Sequence, residues 1–229
     1  MEIQQNYEDV FQSATELFSS KWMQNCSFSE EFRNKWHRIL RANVRSEKNI
    51  LPENAETIFP VPYSFHGGNI IFHFDQEKLF DWFRQDSLGK ERRVFISKDL
   101  TRGLYGDLSF HDSPFYYNST ATEPSIPKKG TEIFACSLPG FPPPLQVIYG
   151  NKRIESSFHG FKKRKLSFYL IPAEFTPAFL CTPFEKCLYL FWMDCCIIME
   201  NRAKLKDKDL KPLLHIFRPT SILTVEKII

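Results

Sequence analysis

Near the start of the chain, apolar side chains recur at three- and four-residue steps: Tyr7, Val10, Phe11, Ala14, Leu17 and Phe18. That spacing places them along one face of an α-helix. A second helix is announced by Ser27-Phe28-Ser29-Glu30-Glu31, where a serine cap and first-turn acids suit the helix dipole. Phe32, Trp36, Ile39 and Leu40 form its apolar stripe. Residues 1–45 therefore read as a helical pair whose apolar faces pack on a main domain, residues 46–229. Prolines 52, 60 and 62 predict an extended connector over 46–63. Next, Phe65-His66 and Ile70 to Phe74 flank Gly67-Gly68-Asn69, the residues a tight hairpin turn requires.

Leu79, Phe80 and Phe83 mark a short helix within 76–85, and Ile96 to Leu108 reads as another. Residues 110–130 are rich in loop formers, and a segment of that length suits a cover over a pocket. Leu145 to Tyr149 and Lys165 to Ile171 read as strands. Thr182-Pro183-Phe184-Glu185 combines a threonine cap, proline at the first helical position and an acid three residues after the cap. The helix that follows is apolar nearly all round from Leu188 to Met199, which predicts burial. The charged segment 200–211 emerges into water. Leu213, Leu214, Ile216 and Phe217 make another buried turn, and 221–229 could close as a strand. The expected fold class is α+β: a small mixed sheet surrounded by helices.

Composition narrows this picture. With 229 residues, 42% hydrophobic, 25% charged and a net charge of +3, the chain can bury enough apolar surface to fold. Phe is abundant at 23 and Gly scarce at 9, so bulky core side chains are expected and glycine-rich phosphate loops are not. The polar, acidic N-terminus lacks the pattern of an export signal, and the longest apolar run is too short to span a bilayer. A cytoplasmic protein with no membrane partner is expected. Cys26, Cys136, Cys181, Cys187, Cys195 and Cys196 contain no C-x-x-C pair, which favours free thiols over a metal or redox site.

Candidate chemistry is confined to a few places. His66 and His73 lack a convincing third ligand, so no metal site is expected. Asp107, His111, Asp112 and Glu155 are candidate acid–base groups, and a polar surface loop is the better account of the first three. The most informative stretch runs from Pro142 to Pro172: a strand, the sharp turn permitted by Gly150, a short helix capped by Asn151 with Lys152 and Arg153 in its first turn, and a second strand. A helix start presents unpaired N–H groups and partial positive charge to an anion. Arg can hold phosphate with two parallel hydrogen bonds, and Lys acts as a point charge. Lys152, Arg153, Lys162, Lys163, Arg164 and Lys165 face a single acid, Glu155, so residues 152–165 carry +5 and the remainder −2. The same residues also read as a solvated turn and an exposed polar corner, with His159 a surface histidine beside them.

Gly150-Asn151-Lys152-Arg153 resembles the G-x-x-R phosphate-binding motif of the ParB N-terminal domain and sulfiredoxin superfamily, where patterns such as GNHR, GERR or GCHR follow a strand and open a helix. The resemblance covers roughly 30 residues. It implies a small mixed α/β fold that binds nucleotide or nucleic-acid phosphate through Gly150 to Arg153, with Lys162 to Lys165 on further phosphates. The cofactor stays open, with a nucleoside triphosphate and magnesium as one candidate, and a role in DNA transactions or in defence of a bacterium or mobile element is implied by the resemblance. Asn151 stands in place of the reactive Cys of GCHR, so sulfiredoxin activity is not expected. Lys152 replaces the His of GNHR, which weakens any His-dependent nuclease chemistry. Ser156 and Ser157 stand where small alanines are common. A nuclease or nucleotide hydrolase stays open, although no close carboxylate cluster is visible. The alternative is a non-catalytic inhibitor or adaptor that binds a protein partner through the 110–130 loop, where Phe115-Tyr116-Tyr117 would suit an interface.

Overall fold

The computed structural model describes residues 6–52, 57–65, 68–85, 93–96, 115–116, 133–137, 145–153, 166–171 and 173–218. The fold is α+β. The chain divides into two compact units, one formed by Met1–Glu53, Pro60–His73 and Leu180–Ile229, the other by Asn54–Phe59 and Phe74–Phe179. Within the first unit the apolar stripes of the N-terminal helices are covered by the C-terminal helix.

In the first unit, helices α1 (Tyr7–Glu16), α2 (Lys21–Gln24) and α3 (Ser29–Val44) precede the long α5 (Pro183–Asn201) and the short α6 (Asp207–Leu210). Phe191 of α5 is the hub: Trp36, Phe18 and Phe32 lie 5.6, 5.4 and 6.3 Å from its ring. Offset and edge-on aromatic contacts of this kind contribute beyond simple burial. Cap chemistry starts α5 as expected, with Glu185 N–H donating to Thr182 Oγ1 and Pro183 at the first helical position. The expected cap of α3 shifts, because Phe28 stands at the N-cap and Ser27 instead donates its N–H to Asp207 Oδ2. Leu213 is 38% exposed, not buried as expected, and Leu214 takes the inward position.

Strands β1 (Ile58–Phe65) and β2 (Gly68–Asp75) pair as a two-stranded sheet, so residues 58–63 belong to a strand and not to a connector. Phe59, Val61 and Tyr63 are buried while Pro60 and Pro62 between them are exposed. Proline is tolerated here because both strands of such a pair are edges, with one row of N–H groups unneeded.

The second unit is built on a mixed sheet of order β3-β7-β5-β6-β4: β3 (Arg93–Ile96), β4 (Phe115–Tyr116), β5 (Ile133–Ser137), β6 (Leu145–Tyr149) and β7 (Leu166–Ile171). β5 lies centrally, antiparallel to β6 and parallel to β7, while β7 is antiparallel to β3 and β6 parallel to β4. Ile96 thus ends a strand instead of opening a helix, and 97–108 lie outside the described residues. Register places Phe134 opposite both Tyr149 and Tyr169. Against this aromatic row packs α4 (Gln76–Gln85): Phe80 meets Phe134 and Tyr149 at 5.4 and 4.9 Å, and Phe83 meets Phe134 and Tyr169 at 5.2 and 4.5 Å. The phenylalanine surplus is therefore spent on packing in both units.

Candidate phosphate-binding site

β6 is held on both sides in the sheet and tethered at its end. Gln76 Nε2 donates to the carbonyl of Ile148 at 2.8 Å, and Tyr149 packs its ring on Phe80. The strand cannot continue past Tyr149, because Gly150 has φ of 90°. That region costs a residue with a Cβ about 1–2 kcal/mol, whereas glycine enters it freely. Residues 151–153 turn helically, and Arg153 N–H donates to Gly150 O at 3.1 Å. Asn151 is thus already inside the turn instead of capping it, and its side chain is fully buried. A residue of positive φ followed by helical backbone aims successive N–H groups toward one point, an arrangement suited to an anion.

The two cations of the turn differ. Lys152 is exposed and makes no hydrogen bond or ion pair with the described residues. Arg153 is half-buried, its guanidinium 5.6 Å from the centre of the Tyr149 ring. Stacking over a ring restricts an arginine's rotamers and holds its guanidinium in one orientation.

Other expected site residues fall elsewhere. Glu155, His159, Lys162, Lys163, Arg164 and Lys165 lie outside the described residues, as do His66, Asp107, His111, Asp112 and Tyr117. Phe115 and Tyr116 form β4, whose backbone pairs in parallel with Leu145 and Gln146. These two residues are thus a strand where a loop was expected. Among the described residues no group of three His, Cys, Asp or Glu side chains is placed to hold a metal ion.

Two buried polar clusters in the first unit were missed by sequence reasoning. Glu185, wholly buried, accepts from Tyr7 Oη at 2.8 Å and lies 2.6 Å from His73 Nδ1. Burial, and next the negative charge of Glu185, push the Tyr7 phenol well above its ordinary range. Asp194, also wholly buried, accepts from Trp36 Nε1 at 3.1 Å, from the N–H groups of His215 and Ile216 at 2.6 and 3.1 Å, and faces His215 Nδ1 at 2.8 Å. The available signal was a lone acid in an apolar helix, since a buried carboxylate needs donors from somewhere. The carboxylate of each cluster is engaged within it, which makes each a tertiary clasp, while His215 Nε2 is buried with no hydrogen-bond partner among the described residues.

All six cysteines are free, and all except Cys181 are buried. Burial raises the Cys187 and Cys196 thiols to about 12, so neither is a thiolate at neutral pH. Among the described residues no helix is long and apolar enough to cross a membrane. Comparison with protein-family models, with curated proteins and with solved structures finds no match to this chain.

Proposed function

We propose that the turn Gly150-Asn151-Lys152-Arg153 binds the phosphate of a nucleotide or nucleic acid, in the manner its resemblance to the ParB and sulfiredoxin superfamily implies. The observation that carries this reading is the backbone of Gly150: a positive φ at the end of a strand, followed at once by helical residues and two cations. Strand, turn and helical start are the context in which a G-x-x-R motif presents N–H groups to an anion. Lys152, exposed and unengaged, supplies the mobile charge, and Arg153, set against Tyr149, the oriented one. Lys162 to Lys165 would extend the contact along a polyanion. A magnesium ion brought by a triphosphate would be held chiefly by phosphate oxygens and water.

Titration of labelled nucleoside triphosphates and short oligonucleotides against the wild type and Lys152→Ala/Arg153→Ala tests the reading. Loss of two charged phosphate contacts, each worth about 1.5–3 kcal/mol, should weaken binding by at least tenfold. An unchanged circular dichroism spectrum would show the fold intact. Equal affinity of the two proteins would end the proposal.

A further inference from the structure

A basic stretch begins inside α3, whose own residues Ser29–Val44 carry +2, and runs on past its end. From Arg33 to Lys48 the chain has six basic residues, Arg33, Lys35, Arg38, Arg41, Arg45 and Lys48, against one acid, Glu47, a net of +5. Residues 152–165 carry the same charge, which leaves 18 basic and 25 acidic residues elsewhere, a net of −7. Basicity is therefore gathered in two places.

Helical geometry turns this composition into a surface. Phe32, Trp36, Leu40 and Asn43 are buried, so the opposite side of α3 faces water. Arg33, Asn34, His37, Arg38, Ala42 and Arg45 are exposed, with Arg41 half-exposed among them. Acids are few on this side. Glu31 is occupied by both Lys35 and Lys211, at 3.1 and 2.6 Å. Those two ammonium groups also lie over the Phe217 ring, at 4.8 and 4.6 Å. On the neighbouring α1, Glu8 pairs with Arg41, and Asp9 accepts from Asn6. Arg33 and Arg38 make no hydrogen bond or ion pair with any described residue.

We infer that this face of α3 is a docking surface for the backbone of duplex DNA, independent of the Gly150 turn. Charge complementarity is the first argument, and the use of arginine the second, because a guanidinium can hold a phosphate with two parallel bonds. Arg33 to Arg45 span 12 residues, about 18 Å at 1.5 Å per residue, a length over which each strand of B-DNA carries roughly five phosphates at one per 3.4 Å. The exposed positions also discriminate among polyanions. A helix lying on an anionic membrane needs large apolar residues between its cations, and this face has none. Single strands are held by aromatic stacking platforms, and none of the exposed positions of α3 is Phe, Tyr or Trp. An α-helix enters the major groove of B-DNA, whereas that of duplex RNA is too narrow.

The test uses the full chain and a labelled DNA duplex of about 20 base pairs, followed by fluorescence anisotropy over a series of salt concentrations. In the Arg33→Gln/Arg38→Gln/Arg45→Gln variant, affinity should fall at least tenfold. The slope of log affinity against log salt should flatten by about 2–3, the loss expected for three phosphate contacts at roughly 0.9 each. All three side chains are exposed, so the melting temperature should be preserved. Lys152→Ala/Arg153→Ala separates the two surfaces, since nucleotide binding reports the turn alone and should be unaffected by the arginine variant. A wild type that fails to bind the duplex, or a triple variant that keeps wild-type affinity and slope, overturns the inference. Tighter binding to duplex RNA, single strands or anionic vesicles than to duplex DNA overturns the assignment of the ligand.

Discussion

Asp194→Asn is the substitution whose effect the structure defines most sharply. The carboxylate is wholly buried and its two oxygens meet four donor positions: Trp36 Nε1, the N–H groups of His215 and Ile216, and His215 Nδ1. An ionised carboxylate has about four lone-pair sites, so every one is used. An asparagine keeps one acceptor oxygen and turns an NH2 group toward donors that it cannot satisfy. Two charge-assisted bonds are lost at about 1.5–3 kcal/mol each, and two buried donors are left facing a donor. Removal of one partner from a buried charged cluster typically destabilises by about 3–5 kcal/mol. Against a total stability of about 5–15 kcal/mol, the variant should be severely weakened. Urea unfolding followed by far-ultraviolet circular dichroism gives the measurement, with Trp36→Phe as the companion. That change removes the N–H donor and keeps a ring against Phe191, so it should cost about 1.5–3 kcal/mol. A loss below about 1 kcal/mol for Asp194→Asn, or no loss for Trp36→Phe, would refute the assignment of Asp194 as a clasp.

Alkaline pH should destabilise the protein. Tyr7 and Tyr63 have folded-state phenols raised above the ordinary 10, and Cys187 and Cys196 are raised from 9 to about 12, in each case chiefly by burial. The stability these groups confer is complete below pH 9 and is lost above it, as the unfolded chain releases protons the native state retains, with a slope of about 1.4 kcal/mol per pH unit for each group. The urea midpoint should fall between pH 8 and pH 10, and a constant midpoint would contradict it. Native protein treated with a thiol-reactive chromogen should show one rapidly reacting thiol, Cys181, and all six after denaturation. Rapid reaction of two or more would mean that the apolar core around α5 opens readily.

Local chemistry was legible wherever a short-range rule decided the outcome. The threonine cap, proline and glutamate at the start of α5 act within one turn, and the structure reproduces them. Gly150 stands where the backbone needs positive φ. The connector expected at 58–63 failed because a proline run does not say whether its N–H side is an edge. The serine cap expected for α3 did not form, because Phe28 takes the N-cap position and Ser29 already lies inside the helix. The α3 arginines escaped notice for a different reason. They are interleaved with apolar positions, so no charge run appears until the helix gathers them on one side.

What residue order alone carried was the α+β class, the helical stripes, the strand before Gly150 and the buried character of α5, because periodicity and capping are properties of neighbouring residues. Folding in three dimensions settled how separate segments share a core, since loop closure lets residues 21 to 178 positions apart meet at no signal in either segment. Trp36 and His215 converge on Asp194 in this way, and Tyr7 and His73 on Glu185. A buried carboxylate demands donors, yet it does not name them. Their identity follows from packing.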